Sequence, residues 1–142
     1  MVCLLLNWIV FRVFKTVSRT RIVSRTKKSE HITPVLRTLH WLPVKQRITF
    51  QLLLLAYKIL HNLAPSYLSP LLELYEPQRR LRSSDQLLLK IPLSKLKSYG
   101  DRTFSVAASK AWNLLPMDIK LSQTTECFKT NIKTFLFKQA YE

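Results

Sequence analysis

A single glycine, Gly100, serves a chain of 142 residues that also carries seven prolines. Average proteins hold about 7% glycine, because glycine enters left-handed backbone without steric cost and lets a backbone close on a ligand. One glycine leaves no Gly-rich phosphate cradle, no dinucleotide fingerprint and no Gly-x-Ser-x-Gly nucleophile turn. With glycine so scarce, the breaks between elements fall to proline, and the chain reads as helix-rich. Hydrophobic residues make up 47% of it and aromatic residues 11%, too apolar for a disordered tail and enough for a core in one domain of this length.

The prolines punctuate at 34, 43, 65, 70, 77, 92 and 116. Thr33-Pro34 reads as a helix start with Thr33 as N-cap, followed by a short helix Val35 to Leu42 that Pro43 ends. Pro43 also opens Val44 to Leu63, where Ile48, Leu52, Leu55, Ile59 and Leu63 continue an apolar stripe at spacings of three and four. This is the expected central core helix. Tyr67 to Tyr75 reads as a short helix interrupted by Pro70, and Glu76 to Gln86 as a polar surface loop. Leu87 to Ile91 is short enough to be a strand, with Leu93 to Tyr99 as the expected partner. Asp101 is the expected cap of a helix whose face is Phe104, Ala107, Ala108, Ala111, Trp112 and Leu115, ending at Pro116. The last helix begins near Ser122 or Thr124, with Glu126 in its first turn and Phe128, Ile132, Phe135, Leu136 and Ala140 on one face. The expected fold class is mainly α: a small irregular helical domain with at most a short β-hairpin.

The charge concerns partners rather than fold. There are 23 Lys and Arg against 8 Asp and Glu, a formal net charge of +15, and such a surface attracts polyanions. Within Arg12 to Lys28 (RVFKTVSRTRIVSRTKK) stand seven basic residues, no acidic one, and hydroxyl side chains between them. Arg and Lys neutralise phosphates, and Ser and Thr donate to phosphate oxygens, so this run suits backbone contact without base readout. Arg19, Arg21, Arg25, Lys27 and Lys28 are the candidate phosphate contacts, and Arg79, Arg80 and Arg82 a secondary patch. A solvated basic face is the bland alternative. His40-Trp41 and Trp112 are candidate base-stacking platforms, but each sits at an apolar helical spacing, which places both tryptophans in the core.

Catalysis and cofactors find little support. The eight acidic residues include no adjacent pair, whereas two-metal phosphoryl transfer gathers carboxylates around ions roughly 3.5–4 Å apart. Cys3 and Cys127 stand at opposite ends, and His31, His40 and His61 match no paired metal-ligand spacing. Neither metal, disulfide framework, cofactor nor small-molecule substrate is expected, and isolated thiols fit a reducing compartment. The apolar stretch Val2 to Phe14 is interrupted by Asn7 and Arg12 and is shorter than the ~20 residues that span a bilayer. It reads as a packed helix, with a signal peptide or signal anchor as the second choice and an interfacial membrane helix as a further alternative. The chain is expected inside the cell, in nucleus or cytoplasm, and not secreted.

Five ordered blocks carry a resemblance: Thr33 to Pro43 (TPVLRTLHWLP), Arg47 to Leu68 (RITFQLLLLAYKILHNLAPSYL), Leu81 to Gln86 (LRSSDQ), Tyr99 to Pro116 (YGDRTFSVAASKAWNLLP) and Phe128 to Phe137 (FKTNIKTFLF). Together with Arg21-Ile22-Val23-Ser24-Arg25 they resemble the carboxy-terminal tail of jockey-like non-LTR retrotransposon (LINE) reverse transcriptases. The resemblance covers residues 21 to 142, whereas residues 1 to 20 depart from it. The expected organisation is a basic amino-terminal helical segment over 1–29 and a helical tail-like domain over 30–142. The family's paired-aspartate polymerase motif and its endonuclease are absent, so no catalytic residue transfers and the chain is expected not to be an enzyme. The implied partners are an RNA or DNA backbone and the missing polymerase domain of a parent element. Two alternatives stay open: a truncated relic without independent activity, and a small membrane-associated protein anchored by residues 2–14.

Overall fold

The computed structural model describes residues 20–22, 25, 27, 31–77, 86–93 and 100–142. They are mainly helical: α1 (Thr33–Thr38), α2 (Val44–Leu60), a 3-10 helix η1 (Ser66–Leu71), α3 (Phe104–Asn113), α4 (Met117–Lys120) and α5 (Thr125–Tyr141). The boundary expected at 29/30, the polar loop from residue 78 to 85 and the stretch 94–99 lie outside the described residues, as does Val2 to Phe14.

Proline starts the helices. The carbonyl of Pro43 accepts from Arg47 N at 3.0 Å, that of Pro65 from Leu68 N at 3.0 Å, and that of Pro116 from Ile119 N at 3.2 Å. Pro65 and Pro116 stand just outside their helices with extended ψ of 140° and 153°, where a missing N–H costs nothing. Pro34 lies within the first turn of α1, whose N-cap is Ile32 rather than Thr33, with no side-chain bond.

Two helices end differently from the sequence expectation. α1 stops at Thr38, well before Pro43, because His40 turns left-handed at φ 51°. His40 N then reaches Arg37 O at 3.0 Å and Trp41 N reaches Leu36 O at 2.8 Å, the paired bonds of a Schellman C-cap. α2 ends the same way: Asn62 has φ 56°, Asn62 N bonds Ile59 O and Leu63 N bonds Lys58 O. Leu63 thereby leaves the helical register and is 60% exposed instead of closing the apolar stripe. In the stripe Leu52 and Ile59 are buried, while Ile48 and Leu55 are half-buried; Leu53, Ala56 and Tyr57 complete the buried arc. Gly100, the one residue built for such positions, has no positive φ.

The chain divides into two compact units, Met1–Gln51 with Asn131–Glu142, and Leu52–Thr130. In the first, Leu36, Leu42, Ile132 and Leu136 are buried, together with Thr20. In the second, an aromatic column forms the centre. Tyr57 stacks on Phe128 at 4.2 Å, and Phe128 lies 6.0 Å from Trp112, all three fully buried. Truncating side chains of this size typically costs about 3–5 kcal/mol each. The column's polar tips are satisfied: Tyr57 Oη donates to Ser122 O at 2.8 Å and Trp112 Nε1 to Leu87 O at 2.9 Å. Trp112 is thus in the core, as its spacing implied.

The expected partner of Leu87 to Ile91 lies almost wholly outside the described residues, and within them the segment pairs elsewhere. Leu89 forms an antiparallel bridge with Leu74, Tyr75 N donating to Leu88 O at 2.8 Å and Lys90 N to Glu73 O at 2.9 Å. The residues after Pro70 therefore leave the helical path and run extended. Side chains do much of the rest: Asn113 Nδ2 donates to Leu89 O at 2.9 Å, and Leu89 N donates to Asn113 Oδ1 at 2.8 Å. Lys120 Nζ donates to Gln86 O at 3.0 Å.

At the head of α3, Thr103 and not Asp101 is the N-cap residue, its carbonyl accepting from Ala107 N and its hydroxyl donating to Gly100 O. Asp101 is drawn instead to Lys110 Nζ at 2.9 Å. Of the two starts the sequence offers for α5, Ser122 and Thr124, the structure takes Thr124: its Oγ1 accepts from Cys127 N at 3.2 Å, and Phe128, Ile132 and Leu136 are buried on the expected face.

Candidate nucleic-acid interface

Charge separates the two units. Over Met1–Gln51 and Asn131–Glu142 the sequence holds 12 Lys and Arg against 2 Asp and Glu, and over Leu52–Thr130 it holds 11 against 6, net charges of +10 and +5. In the second unit carboxylates meet lysines: Glu73 holds Lys90 at 3.2 Å, Asp101 holds Lys110 at 2.9 Å and Glu126 holds Lys129 at 2.6 Å. These pairs are solvent-exposed and worth little to stability, but they cancel charge locally. In the first unit Arg37, Lys45, Lys133 and Lys138 have no carboxylate partner among the described residues.

Three of the predicted phosphate contacts fall in described backbone. Arg21 is half-buried in a helical turn at 20–22, and Arg25 and Lys27 are exposed. Arg25 occupies left-handed backbone at φ 53°, its N–H turned back to Ile22 O, so the chain bends where the basic run is densest. Arg19, Lys28, Arg79, Arg80 and Arg82 lie outside the described residues.

A second cationic feature of the first unit escaped the sequence reading. The left-handed turn at His40 throws the next residue out of helical register, and Trp41, expected in the core, is 40% exposed. Its position is held from two directions. Tyr141 Oη, at the end of α5, donates to Trp41 O at 2.9 Å. Arg47, one turn into α2, lays its guanidinium 5.5 Å from the centre of the indole, a cation–π contact worth roughly 0.5–2 kcal/mol. The same guanidinium is anchored by Nε donating to Leu42 O at 2.6 Å. His40 stacks on Phe137 at 5.6 Å and 12°, and Phe137 touches Tyr141 at 4.7 Å.

These residues surround a pocket of about 300 Å³ lined by His40, Trp41, Leu42, Arg47, Phe50 and Lys133. It has flat aromatic walls, two cations and no carboxylate. Burial lowers the pKa of Arg47, with the neighbouring Tyr141 partly offsetting it. For Tyr141 burial dominates and raises its pKa, against the pull of Arg47 and Arg37. The signal that could have revealed the site is Trp41 followed by Pro43 and Arg47, a tryptophan just before a helix with an arginine one turn inside it.

Among the described residues no group of three or more His, Cys, Asp or Glu gathers where a metal ion could be held. No helix among them is long and apolar enough to cross a membrane. No family model, curated protein or solved structure matches the chain. The resemblance to retrotransposon reverse transcriptase tails therefore rests on the sequence blocks alone.

Proposed function

We propose that the chain is a non-catalytic, nucleic-acid-contacting module related to the tail of a retrotransposon reverse transcriptase, binding the phosphate backbone of RNA or DNA through its first unit. The carrying observation is the charge of that unit, 12 basic against 2 acidic side chains. An excess of cations attracts polyanions, and each phosphate they neutralise releases a condensed counterion. Arg19, Arg21, Arg25, Lys27 and Lys28 are the main contacts in that unit, and Arg79, Arg80 and Arg82, which belong to the second unit, form a secondary patch. The test is oligonucleotide binding by the full chain across a salt series. Affinity falls as salt rises, and replacing exposed Arg25 and Lys27 with Gln flattens the log–log slope by about 2. Absence of binding at low salt, or a slope of zero, refutes the proposal.

A second reading is supported by apolar exposure in the other unit, where Leu63, Tyr67, Leu114 and Leu121 are each about 59–76% exposed. Here the chain is a truncated relic whose surfaces once packed on a polymerase domain. Aggregation on expression supports this reading, and a monodisperse soluble monomer counts against it.

A further inference from the structure

The basic run explains backbone contact but gives no role to the pocket formed by the connection from α1 to α2, by α2 itself and by α5. We propose that this pocket seats one base of single-stranded nucleic acid, stacked on Trp41, with its phosphate on Lys133. The inference rests on the nucleic-acid proposal above and adds to it a preference for unpaired strands.

Three observations lead there. First, Trp41 is exposed although large, and it is held still: Tyr141 fixes its backbone carbonyl and Arg47 covers part of its ring. A flat ring immobilised before binding loses little entropy when a second ring stacks on it. Second, the polar elements of the lining are cationic or imidazole, with no carboxylate to repel a phosphate, and Lys133 on α5 is exposed without an ion-pair or hydrogen-bond partner among the described residues. Third, the pocket is small and opens widely to solvent. At about 300 Å³ the pocket is at the small end of ligand sites, which run from roughly 300 to 1,000 Å³. One nucleotide fits such a volume, whereas an amphipathic helix of a partner protein needs a groove several turns long. Aromatic platforms beside cations are how proteins hold single strands, since every base has a π face whatever the sequence. In a duplex the bases are stacked on each other and no face is available to Trp41.

The test compares a single-stranded oligonucleotide with a duplex of the same length and with heparin, a polyanion without bases. It uses the full chain and its Trp41→Ala, Trp41→Phe and Lys133→Gln variants. Trp41→Ala weakens single-strand binding by roughly five- to hundred-fold and leaves duplex and heparin binding within about two-fold. Trp41→Phe restores most of the loss because it retains a stacking face. Lys133→Gln, a surface change that leaves folding intact, lowers the salt slope for the single strand by about 1. Wild-type protein that binds none of the three ligands overturns both proposals. Binding to all three with no single-strand-specific loss in Trp41→Ala or Lys133→Gln overturns the pocket assignment alone, and so does a pocket that takes up an acidic peptide in preference to the oligonucleotide. If Trp41→Ala loses its helical circular dichroism, Trp41→Phe and Lys133→Gln decide the matter.

Discussion

Left-handed backbone at ordinary residues is a costly local feature of the described residues. Arg25, His40, Asn62 and Leu87 all have φ between 47° and 56°, and for residues with a Cβ this costs roughly 1–2 kcal/mol each, less for Asn. Asn62 is the cleanest place to measure it, since the residue is exposed and its role is to close α2. Asn62→Ala is expected to lower the free energy of unfolding by about 1 kcal/mol, whereas Asn62→Gly leaves it equal or slightly higher; urea denaturation of the pair checks both. Ser109 stores a different kind of cost. Its Oγ is buried on α3 with no hydrogen-bond partner, so Ser109→Ala removes a desolvated hydroxyl and is expected to raise stability by ~1 kcal/mol. A destabilised Ser109→Ala variant refutes that account.

Among the elements, the segment at 86–89 depends most on its neighbours. A single bridge to Leu74 supplies little, and Trp112, Asn113 and Lys120 hold the backbone from two helices. Lys120 is only 4% exposed, and burial lowers its pKa from the ordinary 10.5. The folded protein then releases this proton at a lower pH than the unfolded chain does. Between the lowered value and 10.5 the unfolded state binds more protons, so Lys120 makes stability rise with pH across that window; below it the burial penalty is present in full. Tyr141 acts oppositely, since its raised pKa removes stability above 10.0. Comparing wild type with Lys120→Met isolates the lysine. The stability of wild type relative to the variant is expected to increase as pH rises towards 10.5, and a flat difference counts against a buried ammonium.

For the whole molecule, a net charge of +15 is a self-repulsion that the folded state bears more than the expanded chain. Added salt screens it, with a Debye length of about 10 Å at 0.1 M and about 3 Å at 1 M. The thermal midpoint is therefore expected to rise with salt over the same range in which oligonucleotide affinity falls. A midpoint independent of salt shows that the charges are too far apart to matter in the fold. The opposite directions also separate lost binding from lost folding.

The amino-acid sequence determined what depends on neighbours along the chain: the helix-rich class, the helix start at Pro43, the helix end before Pro116, a start of α5 near Ser122 or Thr124, its buried face and the uneven charge. Such features follow from missing N–H groups, side-chain reach over one turn and simple counting. Tertiary structure alone decided where α1 and α2 stop, which segment pairs with Leu89 and which tryptophan stays outside. Those outcomes depend on His40 and Asn62 accepting a conformation most residues avoid, and on partners distant in sequence. Phe137 stands 97 positions after His40, and Tyr141 is 100 residues from Trp41. The basic run was legible as charge, but the pocket of Trp41, Arg47 and Lys133 was not, because no periodicity along one helix brings residues of α2 and α5 to a single indole.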